Sequence, residues 1–298
     1  MDEPFQAELQ AAVDEAGGAA VISEPAAVAL AGAFYKDFKT GQVTTIFGAG
    51  WEELRRVSPA SGYDGIALYH AASRSLVVLN RGTEGFNSLP DWMQNVGAAL
   101  FRSPGPQLDD ALDLMLDGFD LAGGDRVDHL LICGHSLGGA LADAQGALAQ
   151  ALFAARGLTC PPIRVVGVAS AGFAHAAESL AAARGLQISP DARQFITHYI
   201  RAEDLVPHHP GRSVFGTDRI VASVYECRGL PASGPHSTGL EWRWLPDLLK
   251  EHMRTLYFRF LGEGGGSHVW FSNNSKTFEV RPGHNPGWSP KLARPADW

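Results

Sequence analysis

A serine set among glycines, in Gly134-His135-Ser136-Leu137-Gly138, is where this chain carries chemistry most plainly. Serine is a weak nucleophile until a base removes its proton. The G-x-S-x-G pattern gains meaning where a strand runs into a sharp turn and a helix runs out of it, because that turn lifts the hydroxyl above a sheet edge. Both flanks are present. His129-Leu130-Leu131-Ile132-Cys133 reads as a buried strand, and the alanine- and leucine-rich stretch after Ser136 reads as a helix to about Ala155. A turn this tight strains the nucleophile and demands small neighbours, and glycines at 134, 138 and 139 leave room for the helix to pass close to the strand. Ser136 is therefore read as the nucleophile of an acyl-transfer site.

Such a serine needs a histidine to take its proton and a carboxylate to orient that histidine. Where this elbow occurs, the acid and then the histidine follow the serine in chain order, which confines the search to the chain after the Ser136 helix. Asp204 is the best acid, because His198-Tyr199-Ile200-Arg201-Ala202-Glu203-Asp204-Leu205-Val206-Pro207 puts it in the turn leaving a strand. Glu203 points the other way in an extended chain, and Asp191 and Asp218 fall in segments read as polar loops. The histidines after Asp204 are His208, His209, His236, His252, His268 and His284. His208-His209 is too near Asp204 in sequence to reach round the elbow, and without a cluster of further ligands the pair implies no metal. His236 sits in a glycine- and serine-rich loop suited to a mobile base, and His252 begins a helix in Leu249-Lys250-Glu251-His252-Met253-Arg254-Thr255-Leu256-Tyr257. On the residues alone both stay open. One donor for the developing oxyanion follows from the motif: the backbone N–H of Leu137, directly after the nucleophile.

The elements that must hold these residues alternate along the chain. The first twenty residues read as a helix ending near Gly17-Gly18, and a second helix runs from about Glu24 to Phe38. Tyr63 to His70 and Ser75 to Arg81 read as strands joined by the hairpin turn Ala71-Ala72-Ser73-Arg74. Leu108, Ala111, Leu112, Met115 and Phe119 recur at helical spacing. After the elbow come a strand from Ile163 to Ala169, a helix near Ala174 to Ala183, and strands from Gln194 to Ile200 and Ile220 to Cys227. This alternation predicts an α/β chain with a mainly parallel sheet covered by helices on both faces. A last helix runs from about Pro246 to Leu261, with proline at a position that tolerates its missing donor. The glycine run 262–266 then breaks the pattern. Residues 1–262 are read as the catalytic domain and 263–298 as an appendage, in which Val269-Trp270-Phe271 and Phe278-Glu279-Val280 form a hairpin before a Pro/Gly/Trp-rich tail.

Composition narrows the partners. The chain has 298 residues, 45% of them hydrophobic, which is ample for a core. No apolar run reaches the ~18 residues of a membrane span. A formal charge of -8 leaves no basic footprint for nucleic acid. Three cysteines, Cys133, Cys160 and Cys227, make no disulfide framework, and Cys133 is expected as a buried thiol. Met1-Asp2-Glu3-Pro4 lacks the basic start of a secretory signal, so the expected location is cytoplasmic, or outside by a route that uses no N-terminal signal peptide.

Four ordered segments resemble the class 3 (fungal lipase-like) family of α/β-hydrolases. They are Val77-Val78-Leu79-Asn80-Arg81-Gly82-Thr83 with Asp91-Trp92 downstream, the elbow Gly134 to Ala140, Asp204-Leu205-Val206-Pro207, and His252 followed by Tyr257. The resemblance spans about residues 25–261 and implies an α/β-hydrolase fold. It implies Ser136 as nucleophile, Asp204 as acid and His252 as base, with His236 a structural histidine. It places the second oxyanion donor at Thr83. It also places a lid where Phe86, Leu89 and Trp92 cluster, a small hydrophobic flap over the acyl site. The implied substrate is a carboxylic ester or lipid, met with contact at a lipid interface and without a cofactor. A phospholipase A-type enzyme, acting as a secreted effector, and a non-catalytic lipase-like interaction protein are the alternatives. Two segments depart from the family: Asn80 stands where an aromatic or apolar residue is usual, and Val168-Ala169-Ser170-Ala171-Gly172-Phe173 replaces the usual phenylalanine-glycine-proline pattern.

Overall fold

The computed structural model describes residues 27, 31, 50–82, 105–172, 174–201, 213–221, 268–270 and 277–279. Its first strand is one the sequence reading did not assign, β1 (Trp51–Val57). Charges at Glu52, Glu53, Arg55 and Arg56 mask the strand pattern. The structure shows why they are tolerated: among the described residues β1 is the edge of the sheet and pairs with β2 alone, with an irregularity between Glu53 and Arg55. Its charges are also spent locally, Arg56 on Glu53 at 3.1 Å and Arg55 on Asp117 at 3.3 Å.

Next comes the expected hairpin of β2 (Gly65–His70) and β3 (Ser75–Asn80), antiparallel, with Arg74 in the turn at φ 49°. Helix α1 (Gly105–Leu121) buries Leu108, Ala111, Leu112, Met115 and Phe119, the residues whose spacing predicted it. Strand β4 (His129–His135) runs into Ser136, and α2 (Leu137–Ala155) runs out of it. Strand β5 (Ile163–Val168), helix α3 (Ala174–Arg184), a single turn α4 (Ala192–Phe195), β6 (Ile196–Arg201) and β7 (Thr217–Val221) follow. Asp218 thus lies in a strand rather than in the polar loop expected for it. Ala27 and Ala31 are helical and buried within the stretch read as the second helix. Near the end of the chain β8 (His268–Trp270) and β9 (Thr277–Glu279) pair antiparallel, as the hairpin reading expected.

Among the described residues, seven strands make one sheet in the order β1 to β7. Pairing is antiparallel from β1 to β3 and parallel from β3 to β7. The crossover helices pack side by side, α1 on α2 and α2 on α3, as right-handed connections stepping in one direction require. Leu76, Val78, Leu130, Ile132 and Val165 join those helices in one core. The alternate positions Val77, Leu79, Leu131, Cys133 and Val166 are buried as well, so both faces of the central strands are covered. Burial pushes the Cys133 thiol up to about 12, which leaves it inert.

One row across the sheet departs from this apolar pattern. Asn80, Gly134, Gly167 and His198 are register neighbours on β3, β4, β5 and β6, and register neighbours in a parallel sheet present one face. Helix α2 lies over the two glycines. A Cβ on Gly134 would overlap the backbone of Gly138, and one on Gly138 would overlap the backbone of Asn80. On the β3 side of this contact, Asn80 is fully buried and fully used. Its Oδ1 accepts from the Tyr63 hydroxyl at 2.8 Å, and its Nδ2 donates to Gln145 Oε1 at 2.6 Å and to the Cys133 carbonyl at 3.3 Å. Gln145 in turn donates to the Ala111 carbonyl at 2.5 Å, which ties α2 to α1. Burial, followed by the nearby carboxylates Asp64 and Asp110, raises Tyr63 well above its ordinary value, so its hydroxyl keeps the proton it donates. The departure at Asn80 is thus the hub of a satisfied polar network.

Replacing the hub tests it. Asn80→Leu keeps the branching at Cγ but strands a buried hydroxyl and a buried amide, each typically costing about 1–3 kcal/mol. Urea unfolding should show a loss of about 3 kcal/mol, and a change below about 0.5 kcal/mol would contradict the network's role.

Candidate active site

Ser136 is the residue between β4 and α2, and its backbone sits at φ 59°, ψ -122°. Those angles match the first central position of a type II′ turn, which glycine ordinarily fills. A non-glycine residue held there stores on the order of 1–3 kcal/mol of strain and persists only where its surroundings over-determine it. They do so here. The Ser136 N–H donates to the Val168 carbonyl at 2.9 Å, and its carbonyl accepts from Ala140 at 3.2 Å and Ala171 at 3.3 Å. The serine is clamped by its own helix, by β5 and by the loop after β5. Leu137 opens α2, a position whose N–H has no acceptor within the helix, as an oxyanion donor requires.

The second family departure is explained by the same packing. Ala169 takes φ 50° after β5 and donates its N–H to the Tyr199 carbonyl at 2.9 Å, turning the chain back under the elbow. Ser170 then comes so close to Gly139 that a Cβ there would lie 3.1 Å from the Ser170 Cβ. Ala169, Ser170 and Ala171 are all fully buried, and larger side chains have no room.

Register brings the ends of the site-bearing strands to one edge. Asn80 lies beside Gly134, His135 beside Val168, and Val168 beside Tyr199, so β3, β4, β5 and β6 all end at the edge above which Ser136 stands. In open parallel sheets, sites form outside this carboxyl edge. Thr83 follows Asn80 by three residues and Asp204 follows Arg201 by three, so the chain leaves toward both from the edge that carries Ser136. Asp191 is different. It precedes β6 and is exposed at the opposite, amino end of the strands, which removes it as the acid. Thr83, Phe86, Leu89, Trp92, Asp204, His236 and His252 lie outside the described residues.

One pair beneath the elbow went unnoticed in the sequence. Asp143 on α2 and His198 on β6 are both wholly buried, with His198 Nε2 3.0 Å from Asp143 Oδ1. A carboxylate only accepts, so Nε2 carries the hydrogen. The backbone N–H of Phe215 also donates to Asp143, to Oδ1 at 3.3 Å and Oδ2 at 3.2 Å. His198 Nδ1 has no partner among the described residues. Removing one member of such a pair leaves the other buried and unpaired, at a typical cost of about 3–5 kcal/mol. A signal was present: Asp143 is the single charged residue between Leu137 and Ala155, in a helix otherwise built of small and apolar residues and glutamine.

Among solved structures, the chain is similar to lipase II from Rhizopus niveus, at 18% identity and a TM-score of 0.42, over 72% of this chain and 80% of that one. It is similar to a lipase from Rhizopus microsporus var. chinensis at 19% identity and a TM-score of 0.40, over 72% and 74% of the two chains. The Lip2 lipase of Yarrowia lipolytica gives 17% and 0.42, over 62% and 72%. No protein-family model matches the chain, and no curated protein sequence matches it. These likenesses are distant. The mainly parallel sheet of this chain, with its strand, strained serine and helix, is itself consistent with an α/β-hydrolase fold.

The strain at Ser136 makes a prediction separate from activity. Glycine relieves it and alanine does not, while glycine costs about 0.5–1 kcal/mol in unfolded-chain entropy. Ser136→Gly should therefore melt above Ser136→Ala, by about 1 kcal/mol in denaturant unfolding. The reverse order would show that the backbone at 136 is relaxed.

Proposed function

We propose that this chain is a serine carboxylic-ester hydrolase of lipase or esterase type. The observation that carries the reading is the clamped, strained Ser136 at the carboxyl edge of a parallel sheet, with the Leu137 N–H beside it. In the proposed reaction His252, oriented by Asp204, takes the Ser136 proton as Oγ attacks the ester carbonyl carbon. The carbonyl oxygen becomes an oxyanion and is held by the N–H groups of Leu137 and Thr83, a contribution typically worth about 3 kcal/mol per donor. Collapse breaks the carbon–oxygen bond, and His252 returns its proton to the leaving alcohol. Water then gives a proton to His252 as its oxygen attacks the acyl carbonyl carbon, and when the bond to Ser136 Oγ breaks His252 returns that proton to Oγ, releasing the acid and restoring the serine. Nothing in this sequence of steps requires a cofactor.

Phe86, Leu89 and Trp92 are proposed as an apolar flap over the acyl chain, and through it as the point of contact with a lipid interface. The same triad would serve a phospholipid acyl ester, so the assay pairs a graded series of p-nitrophenyl acyl esters with a phospholipid.

Ser136→Ala should abolish hydrolysis while the circular dichroism spectrum stays native, since loss of a triad member typically costs ~10⁴-fold or more. More than a tenth of wild-type activity remaining would remove Ser136 from the mechanism.

His252→Ala should be as damaging, and the Ser136/His252 double variant no worse than either, because groups acting as one unit are not additive. His236→Ala should cost less than about tenfold. A reversed order would move the base to His236.

For the flap, replacing Phe86 and Leu89 together by serine should lower kcat/KM for an octanoyl ester far more than for an acetyl ester, since each buried methylene is worth ~0.8 kcal/mol. Equal losses in a folded protein would leave that stretch a plain connection.

A further inference from the structure

We infer that Asp143 and His198 are positioning residues for the reaction proposed above, locking the helix that carries the nucleophile to the strand that leads to the acid. The inference rests on that functional reading. Asp143 lies seven residues after Ser136 on α2, and His198 lies on β6 six residues before Asp204. Their hydrogen bond at 3.0 Å, wholly buried, therefore joins the two elements that must keep serine and acid in register with one histidine.

The site of the lock is set by the sheet. His198 is the register neighbour of Gly167, and a Cβ on Gly167 would overlap His198 Nδ1, so the missing side chain is what gives the imidazole its place under α2. Gly167 is in turn the neighbour of Gly134, two residues before the nucleophile. Asp143 also accepts from the Phe215 N–H, which fixes the chain entering β7 to the same carboxylate. On the opposite side of the glycines, Asn80 and Gln145 hold α2 to β3. With both sides held, the roll of α2 is fixed; with the Asp143 side released, the side-chain hydrogen bonds left on α2 reach only β3 and α1 among the described residues, so the helix relaxes about that side and shifts Ser136 Oγ and the Leu137 N–H.

Geometry at the carboxylate decides which replacement restores function. Glutamine at 198 places a terminal N–H near the position of Nε2, whereas asparagine places it near Nδ1, on the side away from Asp143. A merely structural pair would lower the melting temperature and leave the chemistry of the folded protein alone.

The test measures the acylation rate in the burst phase with p-nitrophenyl acetate, together with kcat, KM and the melting temperature, on the full chain well below the melting point of every variant. Asp143→Ala and His198→Asn should slow acylation and lower kcat about tenfold or more, with KM within about twofold, because misplacing reacting groups by even ~1 Å costs up to 10²-fold. His198→Gln should return acylation to within about threefold of wild type. If Asp143→Ala does not fold, Asp143→Asn against the two His198 variants carries the same comparison. Wild-type acylation rates in Asp143→Ala and His198→Asn, with only the melting temperature lowered, would overturn the inference, as would equal behaviour of His198→Gln and His198→Asn. A wild-type protein that neither hydrolyses the ester nor shows a burst would instead overturn the functional reading, and the positioning role with it.

Discussion

The close approach of α2 to the centre of the sheet is the constraint from which the rest of this structure follows. Where Gly134 meets Gly138 there is no space for a single methyl group, and the helix axis is brought down until backbone touches backbone. A strand that must turn into so close a helix has one residue in which to do it, and that residue is Ser136, driven to φ 59°, ψ -122°. Its strain is offset by packing: α2 is buried from Leu137 through Ala149, and the apolar area removed from water there far exceeds what one distorted residue costs.

The same approach explains the polar residues in an otherwise apolar interior. A helix seated on glycines has little side-chain interdigitation at the contact itself, so its rotation must be fixed from the flanks. Two buried pairs do so, Asn80 with Gln145 on the β3 side and His198 with Asp143 on the β6 side. Directional hydrogen bonds suit this task better than apolar contacts, because burial is indifferent to small rolls of a helix and a buried donor is not. The placement of Ser136 at the carboxyl edge thus rests on polar groups a turn or two beneath it.

Much of this was legible in the sequence, and the reasons differ by element. The elbow announced itself because glycine, serine and glycine at fixed spacing between a β-like and a helical run have a single geometric meaning. The β2–β3 hairpin was legible from two strand-like runs and the turn between them, and α1 from its helical spacing. Strand β1 was not, since an edge strand has no need to hide charge and so loses the pattern that betrays its neighbours. Asn80 is visible as a polar residue where an apolar one is usual, but its partners Tyr63 and Gln145 lie 17 and 65 residues away, and no local pattern connects them. The Asp143–His198 pair is harder still, because it is defined by register across two strands. Of the proposed site, Ser136 and Leu137 stand where the sequence placed them, whereas Thr83, Asp204 and His252 lie outside the described residues and rest on chain order and resemblance.

The central claim is that Ser136 is a nucleophile made by the fold rather than by its amino-acid type. Exposure of the folded protein to a fluorophosphonate, followed by intact-mass measurement and fragment mapping, tests it most directly. The account predicts one adduct per chain, on the peptide containing Ser136, and none when the protein is first unfolded in urea. An adduct on another serine, equal labelling of folded and unfolded protein, or no adduct on the folded chain would contradict it.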